Sequence, residues 1–534
     1  MKLTLPSKVS LFTETDELVF DGAASIDAGV AEIGMSLRED RLLLSVRADK
    51  TPLCWLRLRF ASETPRTGVR VMGDAFERSY GDLAWRGIEP ERVMPWYMLV
   101  SDGSDQNPDA AGRLTEGFGV AVRPSAIVVW QYDGAGVTLW ADLRCGCRGV
   151  ILGGRTLEVC EILFGEYRDI SAFEAGKRFC AAMSPHPLPC RTPIYGSNNW
   201  YYSYGHSSRE QIMDSTRILA NLCRKADARP YMVVDSGWEK HPLDAPWDES
   251  NERFPDMAVL ADEMREYGVR PGIWIRYLRD ESRSLSGVPA EARQTRDPAY
   301  LDPSHPWTAD YVRRMTVMMR QWGYELIKHD FSTWDMFGQW GFEMKGAMAS
   351  GNWSFYDRGR TSAEITVDFY RTIREAAGDT VIIGCNTISH LCAGLVEANR
   401  IGDDTSGLEF ERTRKMGINT LAFRLMQNGS FYAADADCAG ITGKIEEKAG
   451  RQWLELLAAS GTPLFISCDP ALTADWEREL EPALLRNACG REEAIPLDWM
   501  ETLCPELWRI GGEQKRFRWY DALGASEFAP VHRL

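Results

Sequence analysis

From residue 193 to residue 467 the chain repeats one pattern, a short apolar run followed by a longer amphipathic one. The short runs are PIYGSNNW (193–200), PYMVVDSGW (230–238), RPGIWIRYL (270–278), YELIKHDF (324–331), TVIIGCNTI (380–388), NRIGDDTSG (399–407), GSFYAADADC (429–438) and GTPLFIS (461–467). Helix-period segments such as SSREQIMDSTRILANLCRKA, MAVLADEMREYG, PWTADYVRRMTVMMRQWG and SAEITVDFYRTIREAAG fill most of the intervals. Strand–helix alternation implies a parallel sheet. Eight units in about 300 residues fit a (β/α)8 TIM barrel, whose active-site residues lie at strand C-termini. A doubly wound open sheet is the rival. Its nucleotide-binding form carries GxGxxG, and neither that nor GxxxxGK[ST] occurs. The long Gly/Trp-rich segment 334–362, after the fourth strand, is expected to be an extended loop at the rim of the site.

The flanks read differently, giving a multidomain α/β chain. Residues 1–185 hold short strand-like runs (LLLSVRA, WLRLRF, FGVAVRPSAIVVWQY, GVTLWADLR, RTLEVCEILFGEY), which predict an N-terminal β-sandwich. MSPHPLPCRTP (183–193) is a Pro-rich linker to a barrel over 190–490. Residues 491–534, with PELWRI and KRFRWYDAL, read as a small C-terminal β appendage. A length of 534 residues exceeds one ordinary core. The net charge of −16 argues against non-specific nucleic-acid binding and against an anionic membrane surface. No apolar run long enough for a signal peptide or a transmembrane helix occurs, and the thirteen Cys show no paired metal spacing, so a reduced, cytoplasmic protein is expected. Nineteen Trp serve core packing or sugar stacking; the count favours neither.

Acids gather where the predicted strands end. Lys328 and Asp330 are two residues apart and share one face of the fourth strand. Asp235 ends the second strand, Asp403 and Asp404 the sixth, and Asp435 and Asp437 the seventh. Two carboxylates across a small mouth are what glycosidic bond cleavage requires. Lys328 beside Asp330 would keep that carboxylate ionised, whereas a proton donor at Asp404 needs a raised pKa. Any one of these Asp residues is also an ordinary helix cap. A metal site joined by His206, His241 or His390 is the secondary reading, because no HxH or HExxH spacing occurs; no metal and no cofactor are expected. His329, on the opposite face, reads as a core histidine. GDAFERSYGDLAW (73–85) is either a loop reaching the mouth or an exposed turn.

IKHDF, GCN followed by RIGDDT, and DADC resemble glycoside hydrolase family 36, the α-galactosidase-like family of clan D. The resemblance covers the barrel, and the β-rich N-terminal part fits that family's layout. It implies Asp330 as nucleophile and Asp404 as acid/base in a retaining double displacement. Lys328 and Arg400 are implied as sugar-hydroxyl ligands, Cys385 as a pocket-lining residue, and Trp200 as an aromatic wall. An alternative alignment on SDNT favours Asp403 over Asp404. The second strand departs from the family: it reads Asp235-Ser236 where galactosidases of this clan carry Asp-Asp, which leaves the sugar open. Trp274 is a further candidate for the substrate site. The expected activity is an α-galactosidase acting on terminal α-galactosides of an oligosaccharide or glycoside substrate. The alternatives are a glycosidase or transglycosylase for N-acetyl-α-galactosamine or β-L-arabinopyranose, a non-catalytic carbohydrate-binding protein, and a metal-dependent hydrolase. Neither nucleic acid nor membrane is an expected partner, and a homo-oligomer is expected by analogy alone.

Overall fold

A computed structural model describes residues 1–103, 112–489 and 493–520. Positions 521–534 of the expected C-terminal appendage lie outside the described residues.

The repeating segment forms one parallel sheet in chain order. Strands Tyr195–Asn198, Tyr231–Val234, Arg270–Ile275, Leu326–His329, Val381–Gly384, Ala398–Arg400 and Ala433–Asp435 pair in succession. The last of these resumes after two residues as Cys438–Ile441, which pairs with Leu464–Cys468, and that strand pairs back to Tyr195–Asn198. The ladder therefore returns on itself as a TIM-barrel-like sheet, here numbered strands one to eight with 433–441 as a broken strand seven.

The period-two alternation of strands sorts the side chains. Leu326, Tyr231, Val233, Val381, Ile383, Ala398 and Phe465 form a small apolar cluster of their own. Ile327, Met232, Val234 and Ile382 join the larger core under the helices. Lys328 follows Leu326 by two residues, Asp235 follows Val233, Cys385 follows Ile383 and Arg400 follows Ala398. The row that continues the inner apolar face is thus polar, and it caps the barrel at the strand C-termini. His329 faces outward, packed against Tyr277, Phe369 and Tyr370, as a core residue whose ring burial pushes down to about 4. Its two ring nitrogens have no partner among the described residues, so it is not the satisfied core histidine that the alternation suggested.

Before the barrel lie two antiparallel sheets of six and seven strands. Phe164 of one sheet meets Phe60 and Trp130 of the other at ring distances of 5.2 and 6.2 Å, so the two faces share a core. The helix Ala172–Met183, capped by Ser171, leads into the barrel. A three-stranded antiparallel sheet, Ala494–Pro496, Leu507–Ile510 and Glu513–Arg516, follows it. All thirteen cysteines are free thiols. Among the described residues, no helix is long and apolar enough to cross a membrane.

One buried ion pair joins the N-terminal sheets to the barrel. Arg424 Nε donates to Asp74 Oδ1 at 2.7 Å with both side chains essentially inaccessible, and Gln427 donates to Asp74 Oδ2 at 2.9 Å. Removing one partner strands a charge, whereas removing both does not. Arg424→Met is expected to destabilise the protein by roughly 3–5 kcal/mol, and adding Asp74→Asn should recover part of it. Denaturant unfolding of Arg424→Met, Asp74→Asn and the double variant decides; a double variant with the summed penalty of the two single changes would show that the pair is uncoupled.

Candidate active site

The mouth is built from the ends of strands two to seven. Trp274 is the penultimate residue of strand three, and its indole nitrogen donates to Asp330 Oδ2 at 3.2 Å. The Phe331 backbone N–H donates to Asp330 Oδ1 at 2.7 Å. Lys328 does not pair with Asp330. Its ammonium donates across the mouth to Asp235 Oδ2 at 2.7 Å, an oxygen that also accepts from Asn198 Nδ2 at 2.7 Å. Burial works against the Lys328 charge, but Asp235, joined by Cys385 and Asp330, outweighs it and holds the ammonium protonated well above its ordinary range. The expectation that Lys328 directly clamps Asp330 is corrected accordingly: the carboxylate is oriented by an indole and a backbone amide.

Arg400 is buried and reaches three ways. It pairs with Asp404 Oδ1 and with Asp437 Oδ2, each at 3.1 Å, and its Nη1 lies 3.5 Å from Cys385 Sγ. Asp437 is also held by the Thr405 backbone N–H at 2.7 Å, the Thr405 hydroxyl at 2.9 Å, and Tyr201. The two adjacent acids of strand six split. Asp404 turns inward with its side chain 38% exposed. Asp403 turns to the rim, where Arg78 and Arg412 grip it at 2.8 and 2.9 Å.

Arg78 was not named from the sequence. It belongs to the segment 73–85, which does reach the mouth: Ser79 and Gly402 form a parallel β-bridge, with Ser79 N donating to Ile401 O at 2.8 Å and Asp403 N donating to Ser79 O at 2.9 Å. Gly402 on the far side packs directly on the helical segment behind it, where a Cβ would sit 2.0 Å from the Met416 carbonyl. Glu77 beside it is fully buried and accepts from Gly341 N at 2.7 Å, from Asn386 and from Tyr80. The signal was available in an otherwise polar turn that carries Phe76, Tyr80 and Trp85. Its partners lie hundreds of residues away, which no local pattern states.

The remaining candidates fall as follows. Cys385 is buried at the centre of the polar row, where burial pushes its thiol far up. Ser236 is tied down: its hydroxyl donates to the buried Glu239 at 2.7 Å, and Glu239 also accepts from Gly237 N and Leu243 N. Ser236 and half-buried Trp200 line a side cleft of about 570 Å³ with Tyr204, Leu243 and Arg253, not the centre of the mouth. His390 is remote, stacked on Trp96 and bonded to Val120 O at 2.9 Å. Among the described residues, no group of three or more His, Cys, Asp or Glu is placed to hold a metal ion.

Charge in the mouth is uneven. Burial raises the Asp404 carboxyl, but Arg400, Arg78 and Lys328 outweigh it and bring the group to about 2. The raised pKa expected of a proton donor is therefore not found at Asp404. Burial pushes Asp435 up to about 6 against the pull of Arg400, and Asp437 adds to the rise. Strain accompanies this electrostatics: Phe331 and Asp437 hold φ of 60° and 72°, left-handed values that side chains rarely adopt.

No protein-family model matches the chain, and no curated protein was found similar to it. Solved structures do match. An α-galactosidase from Thermus thermophilus in complex with p-nitrophenyl α-D-galactopyranoside superposes with a TM-score of 0.59 at 16% identity, over 92% of this chain and 99% of that one. The galactosidase domain of an α-galactosidase–sucrose kinase gives 0.60 at 15%, over 94% and 73%. A family 36 α-galactosidase from Geobacillus stearothermophilus, bound to 1-deoxygalactonojirimycin, gives 0.56 at 13%, over 90% and 71%. The fold is that of the family 36 α-galactosidases.

The raised Asp435 gives a stability prediction. Between its ordinary 3.8 and about 6, the folded state keeps a proton that the unfolded chain has lost. Stability therefore falls as pH rises through that window, by a total on the order of 2–3 kcal/mol. Asp435→Asn keeps the acceptor for Asp437 N and removes this loss. Its melting temperature should exceed that of the parent near neutral pH and match it near pH 4. An equal shift at both pH values would contradict the assignment.

Proposed function

We propose that the chain is a retaining α-glycosidase acting on terminal α-galactosides, with Asp330 as nucleophile and Asp404 as acid/base. One observation carries this reading. Asp330 and Asp404 are half-exposed carboxylates at the ends of strands four and six, while Asp235, Asp435 and Asp437 are buried and Asp403 is turned to the rim. Arg78 Nε and Arg400 Nε are buried donors with no hydrogen-bond partner among the described residues, which suits a mouth that receives an oxygen-rich ligand. The enzymes of like fold are galactosidases, and their complexes hold a nitrophenyl galactoside, stachyose and raffinose.

In this reading Asp330, oriented by Trp274 and the Phe331 amide, attacks the anomeric carbon while Asp404 delivers a proton to the departing oxygen. The resulting glycosyl ester at Asp330 is then opened by water, which Asp404 deprotonates. Lys328, Asp235 and Arg400 hold sugar hydroxyls. Asp404 must take up a proton as substrate enters, when the sugar strips water from its exposed side and raises its pKa.

Asp330→Ala should lose at least about 10³-fold in turnover of raffinose, and Asp404→Ala about 10²–10⁴-fold, with a smaller loss on a nitrophenyl galactoside whose leaving group needs no proton. NMR of the first-formed sugar should show the α anomer. Undiminished turnover by Asp330→Ala, or the β anomer first, would refute the mechanism.

The low Asp404 pKa sets a second test. Only the protonated free enzyme is productive on a poor leaving group, so kcat/KM for raffinose should fall as pH rises from about 5 to 8. The profile for the nitrophenyl substrate should be flatter. Parallel profiles would remove Asp404 from the acid role.

A second reading keeps the chemistry and changes the sugar. It rests on Ser236, whose hydroxyl is committed to Glu239 and presents no carboxylate to the mouth. A panel of nitrophenyl α-galactoside, N-acetyl-α-galactosaminide and β-L-arabinopyranoside separates the two.

A further inference from the structure

Beside Asp404 the charges of the rim do not cancel. Arg78 and Arg412 grip the same carboxylate, Asp403, at 2.8 and 2.9 Å. The neighbouring cations each have an acid of their own: Lys328 has Asp235 at 2.7 Å, Arg400 has Asp437 at 3.1 Å, and Arg414 has Glu411. With Asp403 assigned to Arg78, Arg412 is the surplus charge of this group. It is also the accessible one, with its side chain 42% exposed against 7% for Arg78 and 2% for Arg400. Its Nε and Nη2 donate to the Asp404 carbonyl at 3.2 and 3.0 Å, and Nη2 also donates to Asp403. Its Nη1 has no hydrogen-bond partner among the described residues. The guanidinium is thus fixed against the backbone of Asp404 with one nitrogen left over. Behind Asp403, Arg78 is held by the Tyr80 and Trp340 rings at 5.9 and 5.3 Å, so its charge stays in place.

We propose that Arg412, backed by Arg78, is a subsite for an anionic leaving group: a carboxylate or phosphate monoester carried by the alcohol that departs. An acid that protonates the departing oxygen stands on the leaving-group side of the cleaved bond. A cation anchored to that acid's own carbonyl therefore faces the leaving group, and not the sugar that stays on Asp330. A guanidinium suits such an oxyanion, because its charge is permanent and its N–H donors are fixed in a plane. The anion would also oppose Arg400, Arg78 and Lys328, the cations that outweigh burial and hold the Asp404 carboxyl low. This inference rests on the galactosidase reading, because it takes Asp404 as the acid.

The test uses substrates that share the galactosyl group and a primary departing oxygen: α-galactosyl glycerol, its phosphate monoester, and α-galactosyl glycerate. In the parent chain near neutral pH, kcat/KM should be about 10-fold higher on at least one anionic substrate than on the neutral one, the scale of one charge-assisted hydrogen bond. The larger of the two preferences tells phosphate from carboxylate. Arg412→Gln should erase the preference, and Arg412→Lys, which keeps the charge without the fork, should fall between. Each ratio is taken within one protein, so a lower folded fraction cancels. No preference in the parent overturns the proposal. So does a preference that survives Arg412→Gln, as when all three substrates slow equally because Arg412 merely supports the backbone of Asp404. Failure of the galactosidase reading shows separately, as no turnover of the three substrates or of α-galactosyl fluoride by the parent. In that event glycerol phosphate and glycerate are titrated calorimetrically into the parent and into Arg412→Gln. Binding lost in the variant supports the anion subsite, and equal or absent binding overturns it.

Discussion

Everything at the barrel mouth depends on burying cations and carboxylates together. Lys328, Arg400 and Arg78 are largely inaccessible, and each would be prohibitive alone in an interior of low polarity. Asp235, Asp437 and Asp403 neutralise them in turn, at 2.7, 3.1 and 2.8 Å. Once those pairs are made, the two acids left half-open are Asp330 and Asp404. The network pairs off the buried charges, and it holds each ion in place without any loop having to be rigid by itself.

The same network welds the N-terminal sheets to the barrel. Arg78 and Glu77 come from a turn between two strands of those sheets, yet their partners are Asp403, Asn386 and Gly341 of the barrel. Arg424 and Asp74 repeat the arrangement a few residues away. The mouth is thus a joint product of two folding units, and its cations are supplied from both.

Much of this was legible in the sequence because strand geometry is periodic. The alternation in YELIKHDF fixes Leu326, Lys328 and Asp330 on one face and Ile327 and His329 on the other, which the structure reproduces. The eight strands come instead from the repeat of short apolar and longer helical runs, and Asp404 and Arg400 were implied by the resemblance. What alternation cannot state is the partner across a gap. Lys328 was paired with its neighbour Asp330, but a four-carbon stem reaches Asp235 two strands away, where a buried carboxylate competes more strongly for it. Asp403 stands in the sequence as an alternative to Asp404 because its own partner, Arg78, lies far back in the chain. The side chains of Trp200 and Ser236 belong to a neighbouring cleft for a different reason: Trp200 opens the short helix Trp200–Ser203, and Ser236 is adjacent to the inward Asp235 and faces the other way.

The bridge between Ser79 and Gly402 has a consequence for the order of events during synthesis. The turn that carries Arg78 leaves the ribosome early, well before the strand it must zip onto. Glu77 waits for Gly341 and Asn386, and Arg78 waits longer still, until strand six brings Asp403. Domains emerging N-terminus first ordinarily complete themselves in turn. Here the first unit is finished only by the last third of the second, so the charged mouth is completed late.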